Sequence, residues 1–225
     1  MSIVVSDFDN TILDKNYLNN INAIKNFVSR GNTFIIATGR NIESIKSEVD
    51  KYNIPVEYYI CNDGAVIYDK YLTVIYRKDI DEYIAKEIIK ILNNDLNIAE
   101  AFIDNTNGYS KDIRNVNKII AKPIDMHKAE FVLSRIVKSY PCVIGYLSKH
   151  FININNNLAS KGNALKYLVN FYHLDENEIY TIGDGVNDID LISNYLGFTV
   201  NSAIDDLKSS SYKTVSSLEE LLNRL

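Results

Sequence analysis

Long apolar runs, paired cysteines and surplus positive charge are all missing from this 225-residue sequence, and each absence removes a class of function. No stretch approaches the roughly 18 apolar residues that a membrane span requires, so no membrane partner is expected. The start, Met1-Ser2-Ile3-Val4, lacks the charged segment and apolar core of a secretory signal, which leads to an expected cytoplasmic location. Cys61 and Cys142 belong to no CxxC pair and no histidine cluster accompanies them. Both are expected to be buried thiols in a reducing compartment, not a disulfide or a metal site. Lys and Arg number 24 against 29 Asp and Glu, a formal charge of -5, so no nucleic-acid partner is expected. An anionic substrate would need a local positive site instead of a long-range field. Internal repeats and low-complexity segments are also absent. What is present is ordinary for a globular chain: 46% hydrophobic and 24% charged residues, enough to bury a core without covalent or metal staples.

Apolar runs that stop abruptly at polar residues organise the first and last thirds. Ile3-Val4-Val5 ends at Ser6-Asp7, Thr33 to Ala37 at Thr38-Gly39-Arg40, Val56 to Cys61 at Asn62-Asp63-Gly64, and Ile179 to Ile182 at Gly183-Asp184-Gly185. Each reads as a buried strand. Between them lie helical patterns: Asn19 to Arg30, a second from Ile42 to Tyr52, Ser160 to Tyr172, one from Asn187, and a C-terminal helix capped by Ser217 with Glu220. Ala65 to Tyr68 and Leu72 to Tyr76 suggest a hairpin. The middle block reads differently, with a helix over Asp79 to Asn93 (Asp79 and Glu82 at capping-box spacing), strands over Asn97 to Asp104 and Cys142 to Leu147, and a helix over Lys128 to Ser139. The expected architecture is α/β: a Rossmann-like parallel sheet with helices on both faces, built from residues 1–78 and 153–225, with a smaller α+β cap, 79–152, inserted.

Three polar clusters fall at the carboxyl ends of the predicted strands, the edge where open α/β sheets bind ligands. Asp7 and Asp9, two apart in extended chain, share one direction while Phe8 turns into the core. Carboxylates so close repel unless a cation lies nearby or one is protonated. With Asp184 they offer the hard oxygen ligands that suit Mg²⁺. Thr38-Gly39-Arg40, between a strand and a helix, supplies a hydroxyl and free N–H groups for a phosphate. Lys161 could balance the charge of carboxylates and transferred phosphate. Each signal also has a bland reading: Asp7-x-Asp9 as a polar strand end, Asn187 or Asp188 as a helix cap, Lys161 as a solvated charge.

DFDNT, TGR, the lysine of SKGNAL and GDGVND, in that order, resemble the four motifs of the haloacid dehalogenase superfamily. The insert resembles the cap of its Cof-type, subfamily IIB phosphatases, as CNDGAVIYD resembles their asparagine-glycine loop. The resemblance spans essentially the whole chain. It implies that Asp7 attacks phosphorus to form an aspartyl-phosphate. It implies that Asp9 protonates the leaving alcohol and then activates water. It further implies Mg²⁺ held by the Asp7 carboxylate, the Asp9 backbone carbonyl and Asp184, with Asp188 as ligand or supporting group. Thr38 and Lys161 would hold phosphate oxygens within the segment that includes Gly39 and Arg40, and Asn187 would contact phosphate or a metal-bound water. An acid at the Asp9 position points to phosphate-ester chemistry. One departure stands out: Asn10 occupies a position usually held by glycine, and Asn tolerates left-handed backbone better than most residues.

The expected activity is hydrolysis of a small phosphorylated metabolite such as a sugar phosphate, phosphoglycolate or a phosphorylated cofactor. A phosphomutase would share the motifs and return the phosphoryl group. A non-catalytic phosphate-binding regulator is the third reading, although every candidate catalytic position is occupied. Lys111, Arg114, Lys122, His127 and His150 in the cap are candidate substrate contacts with no assigned role, and Tyr109 reads equally as core. Monomer and homodimer are not separable by sequence.

Overall fold

The structure, a computed structural model, describes residues 1–106, 108–148 and 150–225. Its first half-sheet runs through β1 (Ile3–Ser6), α1 (Tyr17–Ser29), β2 (Thr33–Ala37), α2 (Ile42–Tyr52), β3 (Tyr58–Cys61), β4 (Val66–Asp69) and β5 (Val74–Arg77). The chain then enters α3 (Glu82–Asn93), β6 (Ile98–Asn105), β7 (Gly108–Ser110), β8 (Val116–Pro123), α4 (Met126–Ser139), β9 (Val143–Leu147) and β10 (Ile152–Asn156). It returns through α5 (Lys161–Tyr172), β11 (Ile179–Gly183), α6 (Ile189–Ser193), β12 (Leu196–Val200), α7 (Asp205–Ser210), β13 (Lys213–Val215) and α8 (Leu218–Leu222).

The main sheet has eight strands in the order β13-β12-β11-β1-β2-β3-β4-β5. Strands up to β3 pair parallel, and the β4–β5 hairpin closes the edge antiparallel. The continuous apolar text of β1 follows from burial on both faces. Val4, Phe8 and Phe34 pack in one layer with Ile24 and Phe27 of α1, while Ile3, Val5 and Ile35 pack in another with Leu165 and Leu168 of α5. Because β1 sits between β2 and β11, the chain runs off in both directions from it, and a crevice opens at its carboxyl end.

The inserted unit is a five-stranded antiparallel sheet, β7-β6-β8-β10-β9, backed by α3 and α4. Its text was the least legible. The expected pair of strands is joined by β7, β8 and β10, and β8, the central strand of this sheet, escaped because Asn117, Lys118 and Lys122 interrupt its apolar pattern. The α3 cap also differs from expectation. Asp81 accepts from the Tyr83 and Ile84 N–H groups, whereas Asp79 accepts from Asn117 Nδ2 and pairs with Arg77. Cys61 is buried as expected, but Cys142 is exposed in the turn that leads into β9, an edge strand. No helix among the described residues is long and apolar enough to cross a membrane.

Candidate active site

Asp7 continues the line of β1, its N–H donating to Ile182 O across the β1–β11 seam at 2.9 Å. Lys161 opens α5 directly after Ser160, whose hydroxyl caps the helix by accepting from Asn163 N. That cap aims the ammonium under the sheet edge, where it lies 2.5 Å from Asp7 Oδ1 and 2.6 Å from Asp188 Oδ1, fully buried. The second oxygen of Asp188 accepts from the Asp184 and Gly185 N–H groups at 3.0 Å, so this carboxylate both fixes the loop and holds the lysine. Gly183 makes the arrangement possible: a Cβ there would sit 2.5–2.7 Å from Asp188.

Electrostatics follow from burial. Desolvation raises Asp7 well above the usual carboxylate range; Lys161 opposes the shift, while Asp188 and Asp184 add to it. Burial, then Asp188, raises Asp184 as well. Burial alone would lower Lys161, but Asp188, Asp7 and Asp63 outweigh it and keep the ammonium charged. Three acids crowded around one cation leave room for more positive charge. One carboxylate oxygen each of Asp7, Asp184 and Asp188 lie within 4.8 Å of one another. All are hard donors, a set that fits a small divalent cation.

The other expected residues fall differently. Asp9, Gly39, Arg40, Asp184 and Asn187 line one cavity with Asp7, whereas Thr38, Lys161 and Asp188 are buried beneath its floor. Arg40 grips both Asp9 oxygens, Nε at 2.8 Å and Nη2 at 2.5 Å, with its guanidinium 4.8 Å above the Phe8 ring. The Thr38 hydroxyl accepts from Arg40 N at 3.1 Å, shaping the turn. Asn187 Nδ2 donates to Asp63 Oδ1 at 2.8 Å.

Asp63 and Lys118 are the residues that sequence reasoning missed. Lys118 of β8 reaches across to Asp63 Oδ2 at 2.6 Å and Gly39 O at 3.0 Å, and both side chains are buried. Burial would raise Asp63, yet Lys118 and Lys161 hold its carboxyl below the ordinary range. Asn155 of β10 adds a bond to Asn62 O at 2.9 Å. The usable signal was a lone lysine inside an apolar run, Asn117-Lys118-Ile119-Ile120-Ala121. Of the cap candidates, Tyr109 lines the cavity; Lys111, Arg114, Lys122, His127 and His150 do not, and Arg114 is paired with Asp112.

Comparison with known proteins places this geometry. The family described as haloacid dehalogenase-like hydrolase matches residues 4–140 and 98–220. The 5-amino-6-(5-phospho-D-ribitylamino)uracil phosphatase YwtE of Bacillus subtilis is 24% identical, covering 98% of this chain and 94% of its own. A haloacid dehalogenase-like hydrolase structure from B. subtilis superposes with a TM-score of 0.87 at 18% identity, covering all of both chains. A subclass IIB sugar phosphatase structure of the same superfamily gives 0.80 at 17% identity, covering 98% of this chain and 95% of that one. The chain belongs to the haloacid dehalogenase-like hydrolase family, as an enzyme of its phosphatase kind.

Proposed function

We propose that the protein is a Mg²⁺-dependent phosphatase that hydrolyses a small phosphorylated metabolite through an aspartyl-phosphate on Asp7. The observation that carries this reading is the convergence of Asp7, Asp184 and Asp188 around buried Lys161 at the sheet edge. Lys161 occupies Asp7 Oδ1, which leaves the other oxygen to attack phosphorus. The phosphorus–oxygen bond to the alcohol then breaks, and Asp9 gives its proton to the departing oxygen. In the second half Asp9 takes a proton from water, the water oxygen attacks phosphorus, and Asp7 is released with inorganic phosphate.

Asp9 lies with half of its side chain exposed toward the cavity, but Arg40 covers both oxygens. Proton transfer therefore requires the carboxyl to leave the guanidinium, and the same exchange frees Arg40 to meet the phosphate. Asp7, Asp184 and Asp188, with the Asp9 backbone carbonyl, would hold Mg²⁺, which supplies charge neutralisation at the phosphate oxygens. Thr38 and Gly39 shape the phosphate turn, Lys161 neutralises developing charge from below, and Asn187 stands at the rim beside Asp63.

Phosphate release from a panel of phosphate monoesters with Mg²⁺ tests the reading. Asp7→Asn is expected to lose at least about 10³-fold in kcat, since no covalent route remains. Turnover by that variant equal to wild type would remove Asp7 as nucleophile. Release without any bisphosphate activator separates the hydrolase from a mutase.

A further inference from the structure

The cap face above the site is ordered in cross-strand rows, because alternate residues of a strand point to one side. One row lies over the protein floor: Asp104, Lys118 and Asn155 are neighbours in register, and two of them bond to the Asn62–Asp63 loop. The adjacent row is Phe102, Ile120, Asn153 and Tyr146, paired in turn across β6, β8, β10 and β9. All four line the cavity. The Phe102 ring is extended outward by Tyr109, with centroids 6.0 Å apart.

The cavity is thus two-ended. Its floor carries Asp7, Asp9, Arg40 and Asp184, and its roof row carries two aromatic rings, an isoleucine and a single amide, flanked by Tyr109, Leu147, Ser148 and Phe151. Its volume is about 860 Å³, far more than a phosphate on a three-carbon chain fills. We propose that the roof row is a leaving-group subsite for a flat, largely apolar ring system, joined to the phosphate by a short spacer. This deepens the phosphatase reading and rests on it for the position of the phosphate.

The chemistry behind the choice is desolvation. A polyhydroxylated leaving group under this row exchanges water for Phe102, Ile120 and Tyr146, which offer its hydroxyls one phenol among them, the remaining polar groups of the roof being the Asn153 amide and the Tyr109 and Ser148 hydroxyls. Each hydroxyl buried without a partner forfeits its hydration and weakens binding. A flat ring instead stacks on the aromatic ends and covers Ile120, gaining both apolar burial and ring contact. The Asn153 amide oxygen (its Nδ2 donates to Ser148 Oγ at 3.3 Å) and the Tyr146 hydroxyl can meet ring heteroatoms at its edge. The phenol is a neutral donor at working pH, since burial and nearby Asp63 push it up to about 12.

The test compares alkyl esters of similar leaving-group acidity: 2-phenylethyl phosphate and uridine 5′-monophosphate against glucose 6-phosphate and glycerol 3-phosphate, all with Mg²⁺. Expected is a kcat/KM at least tenfold higher for the ring-bearing pair. Phe102→Leu and Tyr146→Leu, which keep bulk but remove the ring, are each expected to narrow that ratio at least fivefold. A glucose 6-phosphate value equal to or above the ring esters overturns the proposal, as does an unchanged ratio in both variants. Calorimetric binding of 2-phenylethylphosphonate against 3-hydroxypropylphosphonate reads the subsite without turnover. Ring-selective binding with no hydrolysis of any ester would sink the catalytic reading and keep this one; binding without ring preference overturns this one alone.

Discussion

Asn10 holds a left-handed backbone, φ 60°, in the loop just after the two catalytic-candidate aspartates. Glycine adopts that conformation freely and Asn is among the few others that tolerate it. Its Nδ2 also donates to Asp184 Oδ2 at 3.2 Å, a contact glycine could not make. Asn10→Gly should therefore fold and keep kcat within about threefold, with somewhat weaker Mg²⁺ affinity as Asp184 loses its tether. Mg²⁺ titration of initial rates checks both parts, and an inactive, folded variant contradicts this account of the loop. Asp104 makes a second residue-scale prediction. Burial raises its carboxyl to about 6, against the pull of Asn41 and Lys118. Its Oδ1 finds no hydrogen-bond partner among the described residues. The unfolded chain titrates near 3.9, so this group's contribution to stability is full below that pH and is lost as pH rises through 6. Asp104→Asn, neutral throughout, should gain about 1–3 kcal/mol at pH 8 and clearly less at pH 5. Thermal melts at the two pH values decide it; a gain independent of pH would refute the assignment.

At the scale of elements, the strands of the main sheet were legible because burial on both faces writes an unbroken apolar run, and their ends were legible because polar residues collect where a ligand must fit. Ser217 accepts from Glu220 N as its spacing predicts. The cap was harder. Its sheet packs one face on helices and turns the other to the core, so β8 mixes Ile119 and Ala121 with Asn117 and Lys118, and its period is blurred by a face that is polar yet buried. Asp63 was visible only as part of a turn. Neither partner of a buried ion pair announces the other when 55 residues separate them. That pair is what seats β8 on the core loop. Lys118→Met leaves Asp63 buried without its counter-charge and is expected to cost about 3–5 kcal/mol in urea unfolding. Paired with Asp63→Asn, the double variant should lose clearly less than the sum of the singles. Strict additivity would mean that the two side chains do not depend on one another.

At the scale of the whole molecule, charge sets the order of events. The chain carries a formal -5, so no long-range field draws in a phosphate dianion. The cavity does not compensate. Asp7, Asp9, Asp63, Asp184 and Asp188 cluster there, and Arg40, Lys118 and Lys161 are each already engaged by one or two of them. An unpaired carboxylate about 4 Å from a phosphate oxygen opposes binding by roughly 4 kcal/mol at an effective dielectric near 20. On the proposed reading Mg²⁺ then serves binding as well as chemistry, and the cation should enter first. Calorimetry should show Mg²⁺ binding to the free protein. Orthovanadate should bind with Mg²⁺ present and at least about 100-fold more weakly in EDTA. Asp184→Asn removes one ligand and one repelling charge together, so it should weaken Mg²⁺ binding while narrowing the difference that EDTA makes to vanadate. Equal vanadate affinity with and without the cation would show that Arg40 and Lys161 alone capture the phosphate, and the argument from crowded carboxylates would fail at its root.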